Sequence, residues 1–281
     1  MNSQQLSWQK RHSLLLYFIL TYLISWSFMI PVALSHRGWV SWKVPDAFYY
    51  LASYGPITSA IIVTGLTDGW QGIRNLLGRI VKWRVPFRYY AFAILGPVGL
   101  FILAVLANRL VTRAWPDLRL LGYADYLPYL TPIGALLLWV FTYSLGEETG
   151  WRGFALPHLQ RTRSAASSTL ILAVFWACWH IPAFFFRDTY TDMGIFGYPV
   201  FAISILFTTM VFTWLYNSTE GSILLAVLFH AFFNWLSVSE AGGQFVAPLM
   251  SVPIILWAMY VPRRYGLENA APLRKQVAHV A

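Results

Sequence analysis

Charge is what this 281-residue sequence has least of. Only 11% of its side chains are Asp, Glu, Lys or Arg, against about 25% in an ordinary soluble chain. With 58% hydrophobic residues and a mean hydropathy of +0.55, the deficit excludes a soluble globular domain, a disordered chain and a collagen-like repeat. Cysteine is almost missing as well. Cys178 stands alone, which excludes a disulfide framework and any metal cluster built on thiolates. The sequence shows no internal repeat, no low-complexity tract and no polar stretch long enough for a separate soluble domain, so residues 1–281 read as one transmembrane domain.

What the sequence does have is aromatic and apolar. Aromatic residues make up 18%, including 14 Trp and 16 Tyr, which suits rings anchored at two membrane–water interfaces. Apolar stretches of about 20 residues, the length that crosses a bilayer, fall at 13–34, 47–66, 89–111, 127–145 and beyond, 164–186, 197–217, 221–238 and 245–261. The expected fold class is therefore all-α, a polytopic membrane protein of about eight transmembrane helices. The last stretch is interrupted by Pro248 and Pro253. The first follows Lys10 and Arg11, as a signal peptide would, but its apolar run is longer than a signal's core and reads as a retained helix.

The net charge of +9 would suggest nucleic acid in a soluble protein. Here it reads as basic loops on the cytoplasmic side of a membrane, and no nucleic-acid partner is expected. With the N-terminus inside, most Lys and Arg fall in the inner segments, among them Arg74, Arg79, Lys82, Arg84, Arg88, Arg152, Arg161 and Arg163. The pattern predicts a multi-pass protein of the cell membrane with both termini cytoplasmic. Between the second and third stretches, Trp70, Ile73, Leu76, Leu77, Ile80 and Val81 share one helical face, and Arg74, Lys82 and Arg84 lie off it. That spacing predicts a basic amphipathic helix on the inner leaflet. The segment after Arg263 is short and polar and is expected to fray.

A charged group at bilayer depth costs about 2.5–3.5 kcal/mol on insertion scales, so each needs a reason. The few present cluster in three places. Glu147, Glu148 and Arg152 follow the fourth stretch, His180 lies late in the fifth, and His230 with Asn234 lies in the seventh. At 1.5 Å per residue, with the fourth helix stopping near Leu156 before Pro157, Glu147, His180 and His230 sit roughly 15, 20 and 14 Å from the inner ends of their helices. Three helices thus offer Glu and His near one height. Glu148 and Arg152, four apart, are spaced for an ion pair. Glu147 lies about 100° round from Glu148 and is free to face a cavity. Pro182 should kink the fifth helix beside His180.

Glu147-Glu148-x-x-x-Arg152, a His closing an aromatic-rich helix, and His230-x-x-x-Asn234 resemble the CAAX prenyl endopeptidase and bacteriocin-processing (CPBP) family of intramembrane proteases. Gly150-Trp151-Arg152-Gly153-Phe154 after the Glu pair extends the resemblance, as does the run from Ser218 to Ala226 before His230. The motif-bearing part spans about Leu136 to Ser237, inside a catalytic core placed at about 127–240. The amphipathic helix looks like bacterial members. One departure is visible: where the family usually has Phe-x-x-x-His, Trp176 takes the Phe position. An aromatic is kept, so packing should change and chemistry survive.

The resemblance implies an endopeptidase acting on a peptide or membrane-protein substrate at the lipid bilayer. In that reading Glu147 is the general base, and His180 helps hold the attacking water. His230 and Asn234 form an oxyanion hole, while Glu148 with Arg152 supports Glu147 from behind. Each group also has a plainer role open to it, as an interhelical hydrogen bond or an interfacial ion pair. Family members have been described both as glutamate-dependent and as metal-dependent. Glu147, His180 and His230 would suffice as ligands for zinc, but no His-Glu-x-x-His is present, and a mechanism with no cofactor fits the His–Asn pair better. Two other classes remain beside the peptidase: a non-proteolytic scaffold or bacteriocin-immunity-type protein on the same fold, and a transporter, for which inverted repeats are missing.

Overall fold

The computed structural model describes residues 3–124, 130–194, 196–243 and 246–278, with side chains from Arg11 onward. The expected starts of the fourth stretch at Leu127 and of the eighth at Phe245, and His279 in the tail, lie outside the described residues. All regular structure among the described residues is helical, with no strand. The long elements are α1 (Ser3–His36), α2 (Gly55–Gly78), α3 (Phe87–Thr112), α4 (residues 132–159), α5 (Ala165–Trp179), α6 (Gly197–Ser218), α7 (Ile223–Ser237) and α8 (Val246–Asn269). Their starts are written locally. Thr131, Ser164 and Ser222 accept the backbone N–H of Gly134, Ser167 and Leu225 and so cap α4, α5 and α7, and Pro132 stands where its missing N–H costs nothing.

Five of these elements are long and apolar enough to cross a membrane: residues 11–36 of α1, α3, residues 165–185 containing α5, α6 and α8. The other three rods are α2, α4 and α7. Two of them, α4 and α7, carry the polar motifs; α7 is apolar but, at 15 residues, shorter than a span. They sit inside: α4 packs against α2 and along α7, and α7 packs against α3. Close approach of α2 to α4 depends on two glycines. A Cβ on Gly146 would collide with the Ser53 carbonyl, and one on Gly150 with Pro56.

Where expectation and structure differ, the backbone supplies the reason. The second span and the amphipathic helix are one element, α2, broken at Gly69, whose φ of 64° and ψ of −159° a glycine tolerates. Beyond the break Leu76 is buried in the protein, whereas Trp70 and Val81 are exposed. The helix ends at Gly78, so Val81 no longer follows the helical period. Arg79 and Lys82 turn back to the protein. Arg79 donates to the Tyr216 hydroxyl at 2.6 Å and to the Gly153 carbonyl at 2.7 Å, and Lys82 to the Glu220 carbonyl at 2.9 Å.

In α4, π-helical turns at Val140–Ser144 and Trp151–Ala155 bracket the Glu pair. Such wide turns recur at functional sites. The helix does not stop at Leu156 but runs on to Leu159. Pro157 falls in the first α-turn after the second π turn, a place that tolerates a missing N–H. Pro182 does more than kink the fifth rod. The α-helix ends at Trp179, and Ile181–Phe185 continues as a tighter 3-10 turn, because proline cannot supply the next ladder hydrogen bond.

The rods alternate in direction. Residues 79–82, 153–163, 216–223 and the tail bond to one another at one end. At the other end Arg37 donates to the Phe185 carbonyl, and Ser239 bonds Leu120 and Gly122. Nor does the C-terminal segment fray. Gln160 and Asn217, both buried, pair their amides at 2.8 and 3.1 Å. Together they grip the backbone of Gln276, Asn217 accepting from its N–H at 3.1 Å and Gln160 donating to its carbonyl at 2.6 Å. Ala278 donates to the Pro157 carbonyl at 3.1 Å, so the tail straps the end of α4 to that of α6.

Asn217→Ala leaves the Gln160 amide buried without its partner and should destabilise the protein by about 1–3 kcal/mol. Unfolding in detergent at increasing SDS fraction measures this. An unchanged midpoint would mean that the tail is not held by this pair.

Candidate active site

The two acids of α4 face different partners, as their 100° separation requires. The Glu148 carboxylate is fully buried, and one of its oxygens, Oε1, accepts two hydrogen bonds: from Arg152 Nη1 at 2.9 Å and from His230 Nδ1 at 2.7 Å. The Arg152 pair is the one that the spacing predicts. The His230 bond joins α7 to α4 and was not foreseen, because the partners are 82 residues apart. Arg152 is itself sandwiched, its guanidinium 4.2 Å from the Trp176 ring centre and 3.9 Å from that of Phe212. Aromatic faces stabilise a desolvated cation there without competing for its hydrogen-bond partner.

Glu147 is buried too, and it is not free. Its Oε2 accepts the indole N–H of Trp176 at 2.7 Å. Four residues along the same helix, His180 Nδ1 meets the Trp176 carbonyl at 2.7 Å. A carbonyl only accepts, so Nδ1 carries the proton and a neutral His180 presents the lone pair of Nε2. By the same logic His230 donates from Nδ1 to the Glu148 carboxylate. The rings of His180 and His230 do not touch each other; both flank Trp176, with centroids 6.0 and 5.9 Å from its own. Glu147 is within electrostatic reach of His230, and His230 of His180.

The structure thus gathers Glu147, Glu148, Arg152, His180 and His230 around Trp176. Asn234 is one turn beyond His230 and half-buried, and its side chain makes no hydrogen bond among the described residues. Sequence reasoning missed two contributors. Trp176 was read as packing, although its indole N–H was a visible donor. Tyr17 of α1 lies outside the motifs: it stacks on Phe154, and its hydroxyl would sit 2.5 Å from a Cβ on Gly150. Nothing in the apolar run of α1 marks that residue.

The cluster is nearly enclosed, Glu147, His180 and His230 being 3, 6 and 5% exposed. The lid is aromatic: Phe201 and Tyr190 meet the His180 ring edge-on at 4.9 and 6.3 Å. An apolar groove of 880 Å³ lies elsewhere, between α1 and α5 along Phe18, Tyr22, Trp26 and Phe175. Among the described residues no three His, Cys, Asp or Glu side chains come together as a metal site requires.

Replacing Arg152 with Ala strands the Glu148 carboxylate, which should cost about 3–5 kcal/mol. Lys can restore the charge but not the planar stack between Trp176 and Phe212, so Arg152→Lys should fall between Ala and the wild type. Thermal midpoints in detergent give the ranking, and equal midpoints for Ala and wild type would rule out a buried pair.

Comparison with known proteins adds a relationship to this geometry. Residues 128–236 match the model of a family described as Type II CAAX prenyl endopeptidase Rce1-like. Over 108 residues the chain is 34% identical to the CAAX prenyl protease 2 of Methanococcus maripaludis. That alignment covers 37% of this chain and 38% of the archaeal protein, so little more than a third of the curated relative's length is matched. The matched segment holds Glu147, Glu148, Arg152, Trp176, His180, His230 and Asn234. Over that segment this chain is similar to the Type II CAAX prenyl endopeptidases.

Proposed function

We propose that this protein is an intramembrane endopeptidase that hydrolyses a peptide bond with water activated by Glu147. The observation that carries the reading is the burial of Glu147 against Trp176, whose ring His180 and His230 also flank with their Nδ1 atoms already committed, which leaves each Nε2 for substrate or water. Water sits between Glu147 and the Nε2 lone pair of His180. Glu147 takes a proton as the water oxygen bonds to the peptide carbonyl carbon. Asn234 and His230 Nε2–H donate to the carbonyl oxygen as it becomes an oxyanion. In that role His230 carries both protons, and the Glu148 carboxylate 2.7 Å away is its counter-ion. The proton on Glu147 then passes to the departing nitrogen, the carbon–nitrogen bond breaks, and a carboxylic acid and an amine leave.

The site is assigned to the cell membrane with both termini in the cytoplasm. The bonded end that gathers Arg79, Lys82, Arg161 and the tail forms the inner face. The enclosure of the site implies that the aromatic side chains over His180 move to admit a peptide. The archaeal relative is named for prenylated CAAX substrates, and a farnesylated peptide with a CAAX end is accordingly the first substrate to try here.

Purified protein in liposomes should cleave such a peptide, and Glu147→Ala should remain inserted and monodisperse while losing about 10²–10⁴-fold in rate. A Glu147→Ala protein with normal turnover would remove Glu147 as the base. Should the wild type leave the peptide intact, membrane proteomes of cells carrying wild type and Glu147→Ala are compared. A precursor that accumulates only in the mutant supports the peptidase, and identical proteomes overturn it.

His230→Ala and Asn234→Ala should each lower kcat by about 10²–10³ with little change in KM, since the oxyanion exists mainly in the transition state. A rise in KM at constant kcat would place either residue in substrate binding instead.

A further inference from the structure

Among the described residues, Trp176 alone contacts Glu147, Arg152, His180 and His230. Its indole N–H reaches Glu147 Oε2 at 2.7 Å, and its carbonyl takes the Nδ1 proton of His180 at 2.7 Å. Its ring lies 4.2 Å from the Arg152 guanidinium and stands edge-on to His230. Only 3% of it is exposed, so these contacts are made in the dry interior, where a hydrogen bond to a charged group is at its strongest.

Three of the four contacts would be made equally well by phenylalanine: the backbone carbonyl to His180, the ring face to Arg152 and the edge-on contact with His230. The hydrogen bond to Glu147 would not, because a phenyl ring has no N–H. A large polar ring buried merely for packing has no need of a carboxylate partner, and indole nitrogens elsewhere in this bundle, those of Trp151, Trp179 and Trp214, are buried without one. The Trp176 N–H is satisfied by the acid assigned as base.

We infer that Trp176 is a positioning residue, which fixes the atoms through which Glu147 and His180 act on water. With Oε2 held by the indole, Glu147 Oε1 is the oxygen left to receive the proton. With Nδ1 held by the carbonyl of the same residue, His180 meets the water through Nε2. One residue thereby sets the orientation of both groups, and any twist of its side chain moves the carboxylate relative to the imidazole. This rests on the hydrolytic reading proposed above.

The test is Trp176→Phe, which keeps the ring over Arg152 and the carbonyl to His180 and deletes the N–H alone. In liposomes with the farnesylated CAAX peptide, the variant should keep the wild-type KM and lose about tenfold in kcat, the effect of one hydrogen bond to an oriented carboxylate, and its thermal midpoint should fall as the buried carboxylate loses a donor. Wild-type kcat in Trp176→Phe overturns the proposal. So does a rise in KM with kcat unchanged, which is what a packing role predicts. A second measurement does not depend on turnover. The ¹⁵N-indole resonance of Trp176, identified by its loss in Trp176→Phe, should move upfield in Glu147→Ala as the acceptor disappears, and an unmoved resonance overturns the contact. If the wild type cleaves no peptide while the resonance does move, the hydrolytic reading fails and the indole–carboxylate contact stands.

Discussion

One carboxylate oxygen holds this structure's interior together. Glu148 Oε1 receives both Arg152 and His230, and the acid and the arginine are shut off from solvent completely. Removing ions from water costs several kcal/mol each, and only good geometry and further contacts recover it. The helices therefore have little freedom in how they meet. If α7 slides against α4, His230 leaves the carboxylate. If α5 or α6 shifts, Arg152 loses the Trp176 or Phe212 face. Glu147, one residue away on the same turn, is positioned by whatever fixes Glu148.

The rest of the chain is arranged around that constraint. The helices long and apolar enough to cross a membrane lie outermost, with α1, α3, α5 and α6 carrying exposed leucines, isoleucines and valines. The motif-bearing rods α4 and α7 stand within. Wide turns on either side of the Glu pair leave backbone carbonyls with altered partners, and Arg79 takes up that of Gly153. The strap formed by the tail secures the same end of α4 through Gln160 and Pro157. A helix bearing buried charge is thus tied at the end where it approaches water, while its middle is clamped by α2 across Gly146 and Gly150.

How much of this could be read from the sequence follows from the range of each interaction. The Glu148–Arg152 pair was legible because four residues along a helix is a local spacing, which survived the π turn that begins at Trp151. The helical class was legible because composition alone forces it. That Glu147, His180 and His230 share a region came from matching depths along separate rods. Their bonding did not: whether His230 turns to Glu148 or to the water depends on how α4 and α7 pack, which no spacing encodes. The tail was misjudged because a polar, charged segment reads as solvated, whereas its partners Gln160 and Asn217 sit at distant helix ends. Trp176 was misjudged because an aromatic in an apolar helix reads as packing, and the indole N–H speaks only once an acid is placed beside it.

The most direct test of the account is a single turnover in H₂¹⁸O with enzyme in excess over peptide. Attack by a free water held at Glu147 puts one ¹⁸O into the new carboxyl terminus of every product molecule in that first turnover. Products carrying only ¹⁶O would mean that an enzyme oxygen attacked the carbonyl carbon first, making Glu147 a nucleophile rather than a base, and the water-activating role assigned to it would be wrong.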